Sequence, residues 1–325
     1  MRLKKQMNIF VSGEEGMISK TLIKQLKELG HTIANEDSKF DKFRTFDNYN
    51  YNSKFMFKQS NKQKEIDIKE FGLLEIFKSM KIDLIIHTAA FVNTSKCEND
   101  LEGAIDNNVK ATFNLVHIAK TLNIAFVNFS TTAILNPATY NGLTLKLCEE
   151  TEILPHTDYG ITKGLAQQIV KWKLKKYLNF MPIFFVGEFP LDNSSELVKI
   201  IWHSIHDIPY TVTLSENNIK AYFWCEDACD AIIKIILNNE SWKLENRDFC
   251  IGTQDSHVYS DYLEIIKKKL DLDKLPLTFL SDKDYLGNHI SSCVKMKKYA
   301  IGWEQKVFAE EIVDRIIKSI KENEN

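Results

Sequence analysis

Tyr159 and Lys163 stand four residues apart in Tyr159-Gly160-Ile161-Thr162-Lys163, a spacing that puts both on one face of a helix. A nearby ammonium favours the phenolate and draws a tyrosine pKa down from its ordinary value of about 10. Such a phenol can give a proton to a carbonyl oxygen, or take one from an alcohol, while a hydride moves at the neighbouring carbon. Ser130, Thr131 and Thr132 end the apolar run that precedes this pair, and one hydroxyl there can orient the same oxygen. A Tyr and a Lys at this spacing recur by chance in many chains of this length. The ordered set of glycine turn, hydroxyl cluster and Tyr/Lys pair does not.

Hydride chemistry needs a carrier, and the N-terminal turn offers a place for a dinucleotide. The short apolar run Met7 to Val11 leads into Ser12-Gly13-Glu14-Glu15-Gly16, and a helical pattern opens at Ile18. Gly13 and Gly16 let a backbone approach a pyrophosphate, and the N-terminus of the following helix supplies N–H groups and positive dipole. Glu14 and Glu15 bring negative charge to this turn, so their side chains must point outward. Asp37 lies 21 residues past Gly16, close to the ~20-residue spacing of an acid that hydrogen-bonds the adenosine ribose. Its carboxylate repels a 2′-phosphate, which favours NAD(H); the adjacent Glu36 can take the same role, and Arg44 keeps NADP(H) possible.

These groups require a scaffold. Ile18, Leu22, Leu26 and Leu29 recur at helical spacing, Gly30 stops that helix, and His31 to Asn35 reads as a second strand. The segment from Phe40 to Lys64 has poor periodicity and reads as a solvated crossover with a few anchoring aromatics. Order then returns: a helix over 73–80, a buried strand from Asp83 to Ala90, a helix over 101–122, a strand from Ile124 to Ser130, a helix from Tyr159 to Tyr177, and a strand core over Ile183 to Val186. Alternating strands and helices predict an α/β fold of Rossmann type, a doubly wound parallel sheet. Beyond Gly187 the rhythm breaks into short helices near 195–206, 227–238, 258–270 and 308–321, with strand-like runs at Tyr210-Thr211-Val212-Thr213 and Phe249-Cys250-Ile251. The expected organisation is a dinucleotide-binding domain over 1–187 and a smaller, mixed substrate lobe over 188–325, with some chain crossing back to the sheet.

Bulk properties narrow the function classes. With 44% hydrophobic and 26% charged residues the chain reads as a globular protein. A net charge of −2 gives no global pull toward nucleic acid or an anionic membrane. No apolar run reaches the ~18 residues of a spanning helix, and the first residues lack the apolar core of a signal peptide, so a cytoplasmic protein is expected. The six cysteines, at 97, 148, 225, 229, 250 and 293, show no zinc-type spacing. Reduced structural thiols and no metal site follow.

At this point the chain is identified as a member of the extended short-chain dehydrogenases/reductases, in the nucleotide-sugar epimerase, dehydratase and reductase group. The resemblance spans nearly the whole chain. Ser12-Gly13-x-x-Gly16-x-Ile18 resembles the family's glycine turn, with Ser19 where a third glycine is usual. Asp67-Ile68 resembles its adenine-contacting step, and His87-Thr88-Ala89-Ala90 its strand end lining the cofactor. Asn108-Val109 with Asn114-Leu115 resembles its N-V-x-x-T-x-N-L helix. Trp224-Cys225-Glu226-Asp227-Ala228 and the strand from Phe249 to Gly252 resemble elements of the second lobe.

The resemblance implies Tyr159, Lys163 and Thr131 as the catalytic set, with Thr132 as the fallback. It implies Gly13, Gly16, Met17, Ile18, Asp37, Asp67, Ile68, Ala89, Ala90, Asn108 and Lys163 as cofactor contacts. Thr132-Ala133 replaces the Asp-Glu of the 4,6-dehydratases, which argues against dehydration. Leu135-Asn136 replaces the usual aromatic-Gly, and Met181-Pro182 the usual Arg-Pro before the sixth strand. Lys96-Cys97-Glu98, and Glu149-Glu150 through Pro155, resemble the branch similar to dTDP-4-dehydrorhamnose reductase.

The implied activity is reduction of a 4-keto sugar on a nucleotide; C4 epimerisation with retained NAD uses the same residues. A non-catalytic dinucleotide-binding regulator and a reductase of non-sugar carbonyls are the other readings. Lys220 and Arg247 are the candidate cations for a substrate pyrophosphate, although each reads by type as an ordinary surface charge. Helices matching 101–122 and 159–178 often pair such proteins, so a homodimer is possible.

Overall fold

A computed structural model describes residues 6–46, 64–69, 72–92, 94–135, 139–140, 143–144, 146–187, 195–212, 215–280 and 290–324. Most of the irregular segment read from Phe40 to Lys64, together with Asn136 and Thr213, lies outside the described residues. Two compact units emerge. The first comprises 1–129 and 157–179, the second 130–156 and 180–325.

In the first unit, β1 (Asn8–Ser12), β3 (Leu84–His87) and β4 (Ala125–Phe129) pair in parallel, and β2 (Thr32–Ile33) joins the other edge of β1. Register aligns Phe10 with Ile85 and Ile85 with Phe126 across three strands. These side chains share one core cluster with Phe77, Leu115, Ala119 and Val170 from the covering helices. Burial on both faces explains why the strand sequences are nearly continuous apolar runs. Phe40 is fully buried, and its ring lies 5.3 Å from that of Phe10, so an anchoring aromatic does sit at the start of the irregular segment.

The helices of this unit are α1 (Met17–Glu28), α2 (Leu73–Met80), α3 (Ala111–Leu122) and α4 (Asp158–Lys173). The expected helix over 101–122 is present but not uniform: Leu101–Ala104 is α-helical and Ile105–Lys110 forms a π-helical turn before α3. The second strand is shorter than expected. Asn35 accounts for this, because its side chain takes the Val11 N–H at 2.9 Å and gives to the Val11 carbonyl at 2.7 Å, replacing a strand partner. Thr157 caps α4 by accepting the Gly160 N–H at 3.1 Å.

With β5 (Tyr177–Pro182) and β8 (Asp248–Ile251), the central sheet has six strands in the order β8-β5-β4-β3-β1-β2. The order reverses between β1 and β3, the switch point of a doubly wound sheet, where such folds open a crevice at the strands' carboxyl ends. The sixth strand expected at Ile183 to Val186 is a correction. Tyr177–Pro182 enters the central sheet, while β6 (Phe184–Val186) pairs instead with β7 (Tyr222–Trp224). Pro182 lacks an N–H and so suits the end of a strand.

The second unit contains α5 (Glu196–Ile205), α6 (Cys225–Leu237), α7 (Tyr259–Leu270) and α8 (Ala309–Glu324). Asp227 organises it: one carboxylate oxygen takes the N–H groups of Lys306 and Val307, at 2.7 and 2.8 Å. Gly252 has a steric reason, since a Cβ there would lie 2.5 Å from the Ser291 carbonyl oxygen.

Candidate active site

The expected cofactor residues Gly13, Gly16, Met17, Ile18, Ala89 and Ala90 lie in the first turn of α1 or in the segments that follow β1 and β3. Gly13 follows β1 with φ +67°, and a Cβ there would lie 2.8 Å from Ala89 Cα and 2.9 Å from Ala89 N. Only glycine fits this approach of two backbones. Gly16 is the N-cap of α1, and its N–H donates to the Gly13 carbonyl at 3.0 Å. Met17 and Ile18 form the first turn and are half-buried, as are Ala89 and Ala90. The turn thus has the tight backbone cradle that a pyrophosphate requires, and the residues present fit a dinucleotide.

Ser19 does not spoil the cradle. It is buried, and its hydroxyl bonds that of Thr88, which in turn donates to the Ser12 carbonyl. The hydroxyl thereby spends itself inside the turn, and close packing survives the loss of the third glycine. Glu15 is answered by Lys20 at 3.0 Å, which removes part of the turn's excess negative charge. Asp37 follows the 3₁₀ turn after β2 and is half-buried, with Lys39 3.7 Å away. Glu36 pairs with Lys27. Asp67 accepts the Lys69 N–H at 2.9 Å, and Ile68 is buried, its carbonyl taking the Asn114 amide at 2.6 Å.

Asn108 sits inside the π-helical turn and is fully buried. Its amide clamps Phe91 both ways, accepting from the N–H at 2.7 Å and donating to the carbonyl at 3.1 Å, and it also donates to Thr162 at 3.1 Å. The clamp joins the strand end carrying Ala89 and Ala90 to the helix carrying Tyr159 and Lys163. π-turns recur at functional sites, because the extra residue redirects a side chain.

Tyr159 lies half-buried in the first turn of α4. Lys163 is 2% exposed, and burial draws its amine down to about 8. Burial disfavours the ammonium, so between about pH 8 and its unfolded value the unfolded chain holds more protons than the folded one. Stability from this group therefore rises with pH through that window, and the burial cost below pH 8 is of order 3 kcal/mol. Lys163→Met is expected to raise the cofactor-free protein's stability at pH 7, with the gap closing toward about pH 10.5. Urea unfolding of both proteins at the two pH values measures it, and a gap independent of pH contradicts the expectation.

In the second unit Ser130, Thr131 and Thr132 are all buried. Thr131 caps the short 3₁₀ turn that follows, accepting the Ala133 N–H at 3.1 Å, whereas Thr132 donates its proton to the Pro182 carbonyl at 3.3 Å. Thr131 thus keeps a hydroxyl proton to give, and Thr132 has spent its own. Lys220 corrects the expectation of a surface charge. It is 5% exposed, and its amine lies 4.9 Å over the Phe184 ring. Burial draws the amine down to about 8, with Glu196 opposing the shift. Among the described residues no carboxylate pairs with it. Arg247 is half-buried, and its Nε donates to the Leu244 carbonyl at 2.9 Å.

Residues 9–252 match the model of the NAD dependent epimerase/dehydratase family. The chain belongs to that family. It is 25% identical to the UDP-glucose 4-epimerase of Lactobacillus helveticus, over 96% of this chain and 95% of that one. It is 22% identical to the dTDP-4-dehydro-6-deoxyglucose reductase of Escherichia coli, over 96% and 97%. Its fold is similar to that of the UDP-glucose 4-epimerase of Thermotoga maritima crystallised with UDP-glucose, with a TM-score of 0.75, 18% identity and coverage of 98% and 100%. The expected family and the doubly wound sheet both stand.

Sequence reading missed Ser12, Thr112 and Thr162 as site residues and did not foresee the π-turn. Local sequence carried little signal for them, since Phe113 beside Thr112 and Ile161 beside Thr162 are exposed.

Proposed function

We propose that this chain is an NAD(H)-dependent oxidoreductase of a nucleotide-linked sugar, reducing a 4-keto group. The buried Lys163 one turn past Tyr159, on a helix clamped to the cofactor strand through Asn108, carries this reading. A nicotinamide dinucleotide held by the Gly13–Gly16 turn would supply the hydride. Tyr159 gives its phenolic proton to the carbonyl oxygen, and Lys163 steadies the phenolate left behind. Thr131, which keeps its hydroxyl proton, is the proposed hydrogen-bond donor to the substrate. Lys220, a buried cation in the second unit, is the candidate partner for the substrate's phosphates, whose charge would offset its desolvation. Asp37 receives the adenosine ribose hydroxyls and favours NAD(H), although NADP(H) remains the comparison to run. The six free cysteines support a reducing, cytoplasmic setting.

Ala133 and the committed Thr132 hydroxyl leave no acid/base pair beside Thr131, which speaks against dehydration. C4 epimerisation is the second reading, favoured by the likeness to two UDP-glucose 4-epimerases. Absorbance near 340 nm with NADH or NADPH and a panel of nucleotide 4-keto sugars separates them. Consumption of added cofactor supports reduction. Retained cofactor with inversion of a nucleotide sugar means epimerisation, and binding without chemistry means a regulator.

The same reading includes a homodimer. Phe113 on α3 and Ile161, Leu165 and Trp172 on α4 are exposed, and the three α4 residues form one stripe. Leu165→Glu is expected to give a monomer in light scattering where the unaltered chain gives a dimer. A dimer in both cases removes this face from consideration.

A further inference from the structure

His87 ends β3, is fully buried, and bonds on both sides of its ring. Its Nδ1 lies 2.7 Å from Ser12 Oγ, and its Nε2 lies 2.8 Å from Thr112 Oγ1. Proton directions follow from the outer bonds. Thr112 Oγ1 donates to the Asn108 carbonyl at 2.6 Å, so it can only accept from His87. Ser12 Oγ accepts the Ala89 N–H at 3.3 Å and has its own proton left to give to Nδ1. The network therefore assigns a neutral imidazole protonated at Nε2. Burial first, and the Lys163 ammonium second, hold the ring's pKa down at about 3.

One chain of hydrogen bonds thus runs from Ala89 through Ser12, His87 and Thr112 to the backbone of Asn108, whose side chain continues to Phe91 and Thr162. It crosses from the first strand to the π-turn and on to α4. The glycine cradle at Gly13 sits at one end, and the helix of Tyr159 and Lys163 at the other. A leucine would fill the space of the ring without making either bond. A protonated ring would place a second cation near Lys163 and turn a hydrogen toward the Ser12 hydroxyl.

We propose that His87 is a positioning residue, which as a fixed neutral imidazole locks the Ser12–Gly13 turn to the Asn108 π-turn and so sets Tyr159 and Lys163 against the cofactor. This rests on the oxidoreductase reading for its catalytic part, while its structural part can be read without any sugar.

The test has two arms. In the first, imidazole nitrogen shifts of the cofactor-free protein are followed by NMR from about pH 5 to 9, a range that brackets the ordinary histidine pKa. His87 should show a protonated Nε2 and a bare Nδ1 throughout. Titration in that range, or protonation at Nδ1, overturns the proposal. In the second, His87→Leu is compared with His87→Gln, which offers one acceptor, one donor and no charge. His87→Leu should weaken NADH binding, read by fluorescence, by about tenfold and lower kcat by about 10- to 100-fold with KM for the sugar little changed. His87→Gln should restore both to within about threefold, by the same positional argument. Should His87→Leu fail to fold, Thr112→Val carries the same expectation, since it removes the acceptor of the ring N–H and the donor to Asn108. Losses that His87→Gln does not rescue, or unchanged binding and kcat in both the His87→Leu and Thr112→Val variants, overturn the proposal. Absence of turnover in the unaltered chain sinks the oxidoreductase reading alone, because the NMR and NADH arms still decide the position of His87.

Discussion

Replacing Tyr159 by Phe is expected to remove turnover by about 10²–10⁴-fold while cofactor affinity stays within about twofold. The hydroxyl is the only part lost, so the ring still fills its half-buried place in the first turn of α4. Thr157 still caps that helix through Gly160, and Asn108 still holds it through Thr162. What disappears is the proton that must reach the sugar oxygen as the hydride arrives. A threonine hydroxyl, with an ordinary alcohol's acidity, cannot replace the acid. Stopped-flow absorbance near 340 nm with the best keto sugar, beside an NADH titration of both proteins, makes the measurement. Undiminished turnover in the Tyr159→Phe variant would show that another group delivers the proton. Lost cofactor binding together with lost turnover would instead place the phenol in the cofactor's own contacts.

Gly13→Ala should act at the other end of the site, and before any chemistry. The added Cβ meets Ala89 Cα and N at 2.8 and 2.9 Å, and φ is +67°, where an L side chain is strained. Both contacts are backbone atoms, so no side chain can swing aside. Left-handed strain alone is worth about 1–2 kcal/mol, and prying β1 from the end of β3 adds to it. Cofactor-free stability should fall by about 2 kcal/mol. NADH affinity should fall by at least about tenfold as the cradle opens. Gly16→Ala is the control for stability, because its Cβ would meet the Gly13 carbonyl oxygen only at 3.4 Å and its φ is −69°. Thermal melting of the two variants without cofactor separates them. Equal melting temperatures would mean that Ala89 yields easily and that the close approach is not what glycine serves.

Much of the fold was legible because it is written in local periodicity. The helix over Leu73–Met80 appears at its expected bounds and that at Tyr259–Leu270 near its own, whereas the one at Asp158–Lys173 stops short of the expected Tyr177, which instead opens β5. The second strand and the sixth were harder, for different reasons. Asn35 replaces strand pairing by side-chain bonds, which no propensity registers. Phe184–Val186 is as strand-like as Tyr177–Pro182, and only pairing with Tyr222–Trp224 decides that it leaves the central sheet. Asp248–Ile251 reads as a strand from its residues, but its place at the edge of that sheet depends on residues about seventy positions earlier in the chain.

By itself, the sequence determined the βαβ opening, the glycine turn, the acid after the second strand and the Tyr/Lys pair. Each of these is a matter of residue type at short spacing, and short spacing fixes which face of an element a side chain shares. Tertiary structure alone decided which polar groups are buried and whom they meet. Lys220 passes by type for a surface charge and is instead an enclosed cation beside Phe184. Thr131 and Thr132 are adjacent and chemically alike, yet the Pro182 carbonyl takes the proton of one and leaves the other's free. His87 acquires its fixed tautomer from Ser12, 75 residues away, and Thr112, 25 residues away. Hydrogen-bond direction and desolvation depend on neighbours brought together by packing, and local sequence does not carry that information.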